Sequence, residues 1–125
     1  NRIHAVVVVD DHGHAIGDLL LQQVAQRLRE VTRASDTVGR IGGDEFVVLM
    51  GELPDTAIAL KLAEKIRQLI AKPFILNSLE LTISCSIGVA FYPDDGDNED
   101  SLIKSADKAM YCAKDGGRNS VYRAV

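Results

Sequence analysis

Apolar positions along the chain recur with two different periods, and these periods predict the secondary structure. Residues 5–9 form a continuous run of apolar, mostly β-branched side chains that ends at Asp10, which predicts a strand buried on both faces. Three later segments carry apolar residues at steps of three and four, the pattern of amphipathic helices. These helices are predicted at residues 18–32, 56–71 and 102–113.

Shorter apolar runs separated by turn residues predict the remaining strands. Runs at 36–38 and 47–50 flank a Gly-Gly pair, which is a hairpin signal. A short strand at 74–76, a turn at Asn77 and Ser78, a long strand at 79–91 and a last strand at 119–123 follow. Small and apolar residues alternate at 83–90, which suits a strand crossed closely by a helix. This order predicts an α+β fold, an antiparallel sheet with helices on one side.

Composition and charge narrow the possible functions. The 125 residues are 46% hydrophobic and 26% charged, which is enough for the core of one globular domain. A net charge of −4 gives no basic footprint, so we expect no nucleic-acid binding. No run is long enough to cross a membrane and no signal peptide is visible. Cys85 and Cys112 lack metal-ligand spacing, and we expect two buried thiols.

Acidic residues at two strand ends are candidates for chemistry. Asp44 and Glu45 follow the Gly42-Gly43 turn, where the chain enters an apolar strand. The hairpin tip is either simply solvated or a site where carboxylates hold a divalent metal over a phosphate, with the glycines making room. Asp10, at the end of the first strand, is either a metal ligand or a cap or turn residue.

Two further polar pairs have competing interpretations. His12 and His14 are two residues apart with Gly13 between them, so we interpret them as turn or cap residues and not as metal ligands. Arg33 and Asp36 lie on the connection after the first helix. They form either a surface ion pair or a site that offers a guanidinium and a carboxylate to a ligand with a phosphate and a base edge.

Several of these motifs together resemble the GGDEF family of bacterial diguanylate cyclases. The resemblance is carried by the turn at 42–46, by residues 12–18, by the strand at 86–90 with Tyr92 and Pro93, and by residues 106–119. It implies a palm-like antiparallel sheet flanked by helices, as in nucleotidyl cyclases. It also implies condensation of two GTP into cyclic di-GMP with release of pyrophosphate, and Mg²⁺ or Mn²⁺ as cofactor. A catalytic homodimer, a cytoplasmic location without membrane contact by this domain, and attached sensor or phosphodiesterase domains are implied as well.

The resemblance assigns roles to individual residues. The implied metal ligands are Asp10, Asp44 and Glu45, of which Asp44 and Glu45 are also catalytic. The implied GTP contacts are Asp18 to the guanine edge, Gly42 and Gly43 against the nucleotide, and Arg40, Lys114 and Arg118 to the phosphates. Lys114 and Arg118 are one helical turn apart if the last helix extends that far. Arg33 and Asp36 match the inhibitory Arg-x-x-Asp site that binds the product.

The chain departs from the family pattern after Asp10. The family usually has Asp-x-Asp-x-Phe-Lys-x-x-Asn-Asp there, whereas Asp10 is followed directly by Asp11-His12-Gly13. The missing segment would supply a carbonyl to the metal, a lysine to the phosphates and an asparagine to guanine. Because the flanking motifs are intact, we expect the intact protein to contain this loop. Residues 1–125 are then one GGDEF domain, a fragment of a longer multidomain signalling protein. The alternative is a degenerate domain that binds GTP or cyclic di-GMP as a regulatory module.

Overall fold

The computed structural model describes residues 3–11, 17–42 and 45–125. The predictions made for His12, His14, Gly43 and Asp44 lie outside these residues. The strands are β1 (Ile3–Asp11), β2 (Thr37–Gly42), β3 (Glu45–Leu53), β4 (Phe74–Leu76), β5 (Leu79–Leu81), β6 (Cys85–Tyr92) and β7 (Ser120–Arg123). The helices are α1 (Asp18–Val31), α2 (Thr56–Ile70) and α3 (Glu99–Asp115).

The main sheet has five strands in the order β2-β3-β1-β6-β7. Neighbouring strands are antiparallel except for β6 and β7, which are parallel. The α+β prediction is therefore confirmed, with a mixed sheet in which β1 lies at the centre. Because β1 has a partner strand on each side along most of its length, its backbone groups find hydrogen-bond partners within the sheet, which suits a buried apolar strand.

Helices cover both faces of this sheet, so the prediction that they lie on one side is wrong. Val7 and Val9 of β1 pack in the core cluster that includes α1 and α2, whereas Val6 and Val8 pack with α3. The physical reason is the composition of β1. Side chains alternate between the two faces of a strand, and a strand that is apolar at every position needs cover on both.

The helices begin at polar residues that accept the first free backbone N–H groups. Asp55 caps α2, since its carboxylate accepts a hydrogen bond from the Ala57 amide at 2.8 Å. Asn98 and Ser101 form a reciprocal capping box at the start of α3. Ile58 of α2 is 37% exposed, because the helix buries the face that contains Ala59.

The predicted long strand at 79–91 is two strands in different sheets. β5 pairs with β4 in a separate two-stranded hairpin, and β6 begins only at Cys85. Asn77 and Ser78 have φ angles of 49° and 71°, and positive φ at both central positions is the requirement of a two-residue type I′ hairpin turn. This turn folds β5 back on β4. β5 therefore ends within that hairpin, and β6 begins as a separate strand of the main sheet.

The predicted close crossing of a helix over residues 83–90 is confirmed at Gly88. A Cβ atom on Gly88 would lie 1.9 Å from the carbonyl oxygen of Ala106 in α3. The cysteines differ from the prediction: Cys85 is buried, but Cys112 is exposed because it lies outside the buried face of α3. Within the described ranges, no helix has the length and apolar character needed to cross a bilayer.

Candidate active site

Two acidic residues from distant parts of the chain lie side by side at one end of the sheet. Asp10, near the end of β1, is paired with Glu45, the first residue of β3. Directly paired residues of antiparallel strands point to the same face, with Cβ atoms about 5 Å apart. The register places Val8 and Val47 on this face, and both pack against α3. The two carboxylates therefore project toward the face of the sheet that α3 covers.

A lysine of α3 reaches the first of these carboxylates. The ammonium nitrogen of Lys114 lies 3.1 Å from Oδ2 of Asp10. The side chains retain only 27% and 15% of their exposure, so the pair is partly shielded from water. An ion pair in this environment is screened less by salt than one on the surface. This contact ties the last turn of α3 to the end of β1.

The second carboxylate meets another acidic residue of α3. The carboxyl group of Glu45 contacts that of Asp107, and burial raises the pKa of Glu45 to about 8, with further contributions from Asp107 and from the charge of Asp10. Lys114 opposes the shift. A hydrogen bond between two carboxyl groups requires a shared proton. Without that proton, Oδ1 of Asp107 is buried and has no hydrogen-bond partner among the described residues.

The raised pKa of Glu45 makes the stability of the metal-free protein depend on pH. The stabilisation from neutral Glu45 is fully present below its ordinary value of 4.5 and is lost as the pH rises through about 8. We expect the thermal unfolding midpoint, measured in the presence of EDTA, to fall between pH 5 and about pH 8 for this reason. Glu45→Gln should remove this part of the slope, whereas Glu80→Gln, on exposed β5, should leave it intact. An identical slope in both variants would contradict the assignment.

A cavity of about 390 Å³ lies between α1 and β2, and its wall includes Phe46, the residue that follows Glu45 in β3. Its walls include one face of α1, with Asp18 at the N-terminal end of that face. Leu21 and Phe46 supply apolar wall, and Arg40 supplies a cationic group. Volumes of this order are typical of small-ligand sites. The apolar side chains can pack against a flat ring, and the carboxylate can accept hydrogen bonds from N–H groups on the edge of that ring.

Gly42, the last residue of β2, is exposed to solvent. Gly42 is paired with Glu45, with an irregularity in the register after Arg40. A Cβ atom on Gly42 would meet nothing within 4 Å among the described residues. Among the described residues, the space beside the Gly42 backbone is therefore open.

Arg33 and Asp36 form a bidentate pair at the opposite end of α1. The Arg33 Nη2 and Nε atoms lie 2.8 and 3.2 Å from Oδ1 of Asp36, and the Arg33 backbone amide lies 2.9 Å from Oδ2. The Asp36 side chain has no exposed surface, whereas Arg33 keeps 43%. The bond to Asp36 raises the pKa of Arg33. A second cavity of about 240 Å³ adjoins the pair, and the Nη1 group of Arg33 makes none of these bonds.

The helix that would place the predicted basic pair one turn apart does not extend to Arg118. Lys114 and Arg118 are not one helical turn apart, because α3 ends at Asp115 and Arg118 has a φ of 65°. The reversal follows from Gly116 and Gly117, whose amides bond back to the last turn of the helix. Arg118 is exposed beyond that turn, so only Lys114 is shown beside Asp10.

Asp107 is the residue of this site to which sequence reasoning assigned no role. Its position offered one signal: Asp107 and Lys114 are seven residues apart, and this spacing places both on one side of a helix. Among the described residues, no three His, Cys, Asp or Glu side chains are grouped closely enough to bind a metal ion. Asp44, the third acidic residue assigned from the sequence, lies outside them.

Comparison with known proteins gives one consistent result. A family model described as "Diguanylate cyclase, GGDEF domain" matches residues 7–120. The bifunctional diguanylate cyclase/cyclic di-GMP phosphodiesterase MucR of Pseudomonas aeruginosa is 51% identical over 112 residues, which are 90% of this chain and 16% of MucR. Diguanylate cyclase A of Treponema denticola is 38% identical, over 90% of this chain and 30% of its own. The chain thus spans less than a third of the length of these curated relatives.

A solved structure agrees with the observed fold. The crystal structure of the GGDEF domain of YfiN, also called TpbB, from Pseudomonas aeruginosa superposes with a TM-score of 0.93 at 37% identity. The match covers 99% of this chain and 83% of that one.

Proposed function

Because this chain belongs to the GGDEF domain family of diguanylate cyclases, we propose that it condenses two GTP molecules into cyclic di-GMP and releases pyrophosphate. One observation carries this proposal: the pairing of Asp10 with Glu45 brings two carboxylates from distant segments to one face of the sheet, where Lys114 forms an ion pair with Asp10. Carboxylates together with a lysine are the groups that phosphoryl transfer uses to hold a cation and a phosphate.

We assign Asp10, Glu45 and Asp44 to hold a Mg²⁺ or Mn²⁺ ion. The donors fit such an ion, since carboxylate oxygens suit these hard cations. The buried Oδ1 of Asp107, which has no donor among the described residues, further indicates that the cluster lacks positive charge. When bound, the ion would neutralise the triphosphate and stabilise the departing pyrophosphate.

The cavity beside α1 suits the base of GTP. Guanine presents adjacent N–H donors, and an ionised carboxylate such as Asp18 accepts from both. Leu21 and Phe46 would contact the ring, and the backbone of Gly42 and Gly43 would lie against the nucleotide. Arg40, Lys114 and Arg118 are our assignments for phosphate contacts.

Two copies of the chain are needed for the reaction. We assign one GTP to each copy, so the 3′-hydroxyl of one nucleotide attacks the α-phosphate of the other across a homodimer. The new bond joins the 3′-oxygen to phosphorus, the pyrophosphate departs, and Glu45 accepts the hydroxyl proton.

The test is incubation of purified protein with GTP and Mg²⁺, followed by chromatography of the nucleotides. We expect cyclic di-GMP and pyrophosphate, with a rate per protein that rises with protein concentration as dimers form. Removal of the cation with EDTA should stop the reaction. Binding of a GTP analogue in calorimetry without any product would overturn the proposal in favour of a regulatory, degenerate domain.

We further propose that Arg33 and Asp36 bind cyclic di-GMP and inhibit the enzyme. The buried Asp36 carboxylate fixes the guanidinium of Arg33, which leaves the Nη1 donors for a phosphate beside the adjoining cavity. Added cyclic di-GMP should therefore slow the wild-type protein and have no effect on Arg33→Ala, as measured from initial rates. Arg67→Ala is a matched control, because it breaks another ion pair of the same spacing, with Glu64 on α2. Inhibition that persists in Arg33→Ala would refute the assignment.

We also propose that the chain is one domain of a larger signalling protein. Its relatives are several times longer, and the name of MucR states two activities in one protein. Attached sensor or phosphodiesterase domains and a cytoplasmic location, where GTP is supplied, are part of this proposal.

A further inference from the structure

Asp107 is held rigidly in a place where its carboxylate has few partners. Its neighbour Ala106 is fully buried, and the backbone of Ala106 lies directly against Gly88 of β6. Helix and strand are therefore in contact at the backbone level, and the helix cannot shift toward the sheet. The position of Asp107 relative to the strand ends is fixed by this packing.

The charged groups that face Asp107 are mostly of its own sign. Glu45 contacts it from β3 and Asp10 lies beside Glu45 on β1, while the Lys114 ammonium is bound to Asp10. Oδ1 of Asp107 is buried and, among the described residues, receives no hydrogen bond. An unsatisfied buried carboxylate oxygen is costly, and in native proteins it calls for an explanation such as an ion or ordered water.

We propose that Asp107 is a positioning residue for the divalent cation, acting through the Glu45 carboxylate that it contacts and through its own negative charge. This inference rests on the proposed function, because the cation is the one that the proposed reaction requires. Divalent ions such as Mg²⁺ keep several waters, which donate hydrogen bonds to carboxylates that do not touch the ion. Removal of such supporting groups typically costs about 10- to 100-fold in metal affinity.

The variant Asp107→Asn tests the role because it preserves shape and removes charge. Mn²⁺ binding to the metal-free protein is measured by electron paramagnetic resonance, with and without a non-hydrolysable GTP analogue. We expect the affinity of Asp107→Asn to fall about 10- to 100-fold. Circular dichroism and the unfolding midpoint of the metal-free variant establish that the affinity is measured on folded protein. Asp100→Asn, two turns earlier on α3 and exposed, should change Mn²⁺ affinity less than about twofold.

The Mn²⁺ affinity of the folded variant separates positioning from a purely structural role. A purely structural role predicts a lower unfolding temperature with unchanged Mn²⁺ affinity in folded Asp107→Asn, and that result overturns the proposal. If this variant does not fold, Asp107→Glu, which keeps the charge, should recover folding and most of the affinity; failure to do so also overturns it. Wild-type protein that binds Mn²⁺ but makes no cyclic di-GMP would refute the proposed reaction and leave the Asp107 comparison valid.

Discussion

Replacing Asp10 with asparagine is expected to lower the rate of cyclic di-GMP formation by at least about 10²-fold, the loss typical of removing one preorganised electrostatic group. Asp10 takes part in two contacts of the site. It is paired with Glu45 across β1 and β3, and it binds Lys114 at 3.1 Å. The amide keeps the shape but gives up the charge that would hold the cation. Lys114 would also lose its counter-charge and with it a fixed position. The measurement is the initial rate with saturating GTP and Mg²⁺.

The control for this prediction is Asp94→Asn. Asp94 is an exposed aspartate that follows β6, beyond the Tyr92 end that pairs with His4 at the start of β1. It therefore lies at the end of the sheet opposite to Asp10, and its variant should retain the wild-type rate. Product formation by Asp10→Asn near the wild-type rate would show that Asp10 is not part of the catalytic site. Circular dichroism and the unfolding midpoint of each variant establish that the rates come from folded protein.

Gly88→Ala is expected to destabilise the fold by about 3 kcal/mol or more, at the upper end of the usual cost of overpacking a core. The added Cβ would lie 1.9 Å from the carbonyl oxygen of Ala106 and 2.5 Å from the amide nitrogen of Met110. Both atoms belong to the backbone of α3, so no rotamer change can relieve the clash. The free energy of unfolding is measured by urea denaturation. Activity should fall as well, because α3 carries Asp107 and Lys114.

Gly51→Ala is the matched control, since it adds the same methyl group to another strand. A Cβ atom on Gly51 of β3 would meet nothing within 4 Å among the described residues. We expect its stability to be unchanged or higher by about 0.4–1 kcal/mol, because alanine reduces the freedom of the unfolded chain. Equal stability of Gly88→Ala and Gly51→Ala would show that α3 is not packed against β6 as described.

The local elements of the fold could be predicted because the signals for them lie close together in the chain. The apolar run of β1 and the periodicity of α1 and α2 gave their positions to within a few residues. The β4–β5 turn was located correctly at Asn77 and Ser78, but its consequence was not, since the sequence does not show that the strand after the turn leaves the main sheet.

The sequence by itself determined which residue types were available: the strand-end Asp10, the Gly-Gly turn with Asp44 and Glu45, and the Arg33/Asp36 pair three residues apart. Only the tertiary structure decided which of them meet. The sheet order and register bring Asp10 opposite Glu45, and the crossing of α3 at Gly88 brings Asp107 to Glu45 and Lys114 to Asp10. Hydrophobic periodicity acts over neighbouring turns and strands, whereas these contacts join residues more than 30 positions apart through the packing of the whole core, which no local pattern encodes.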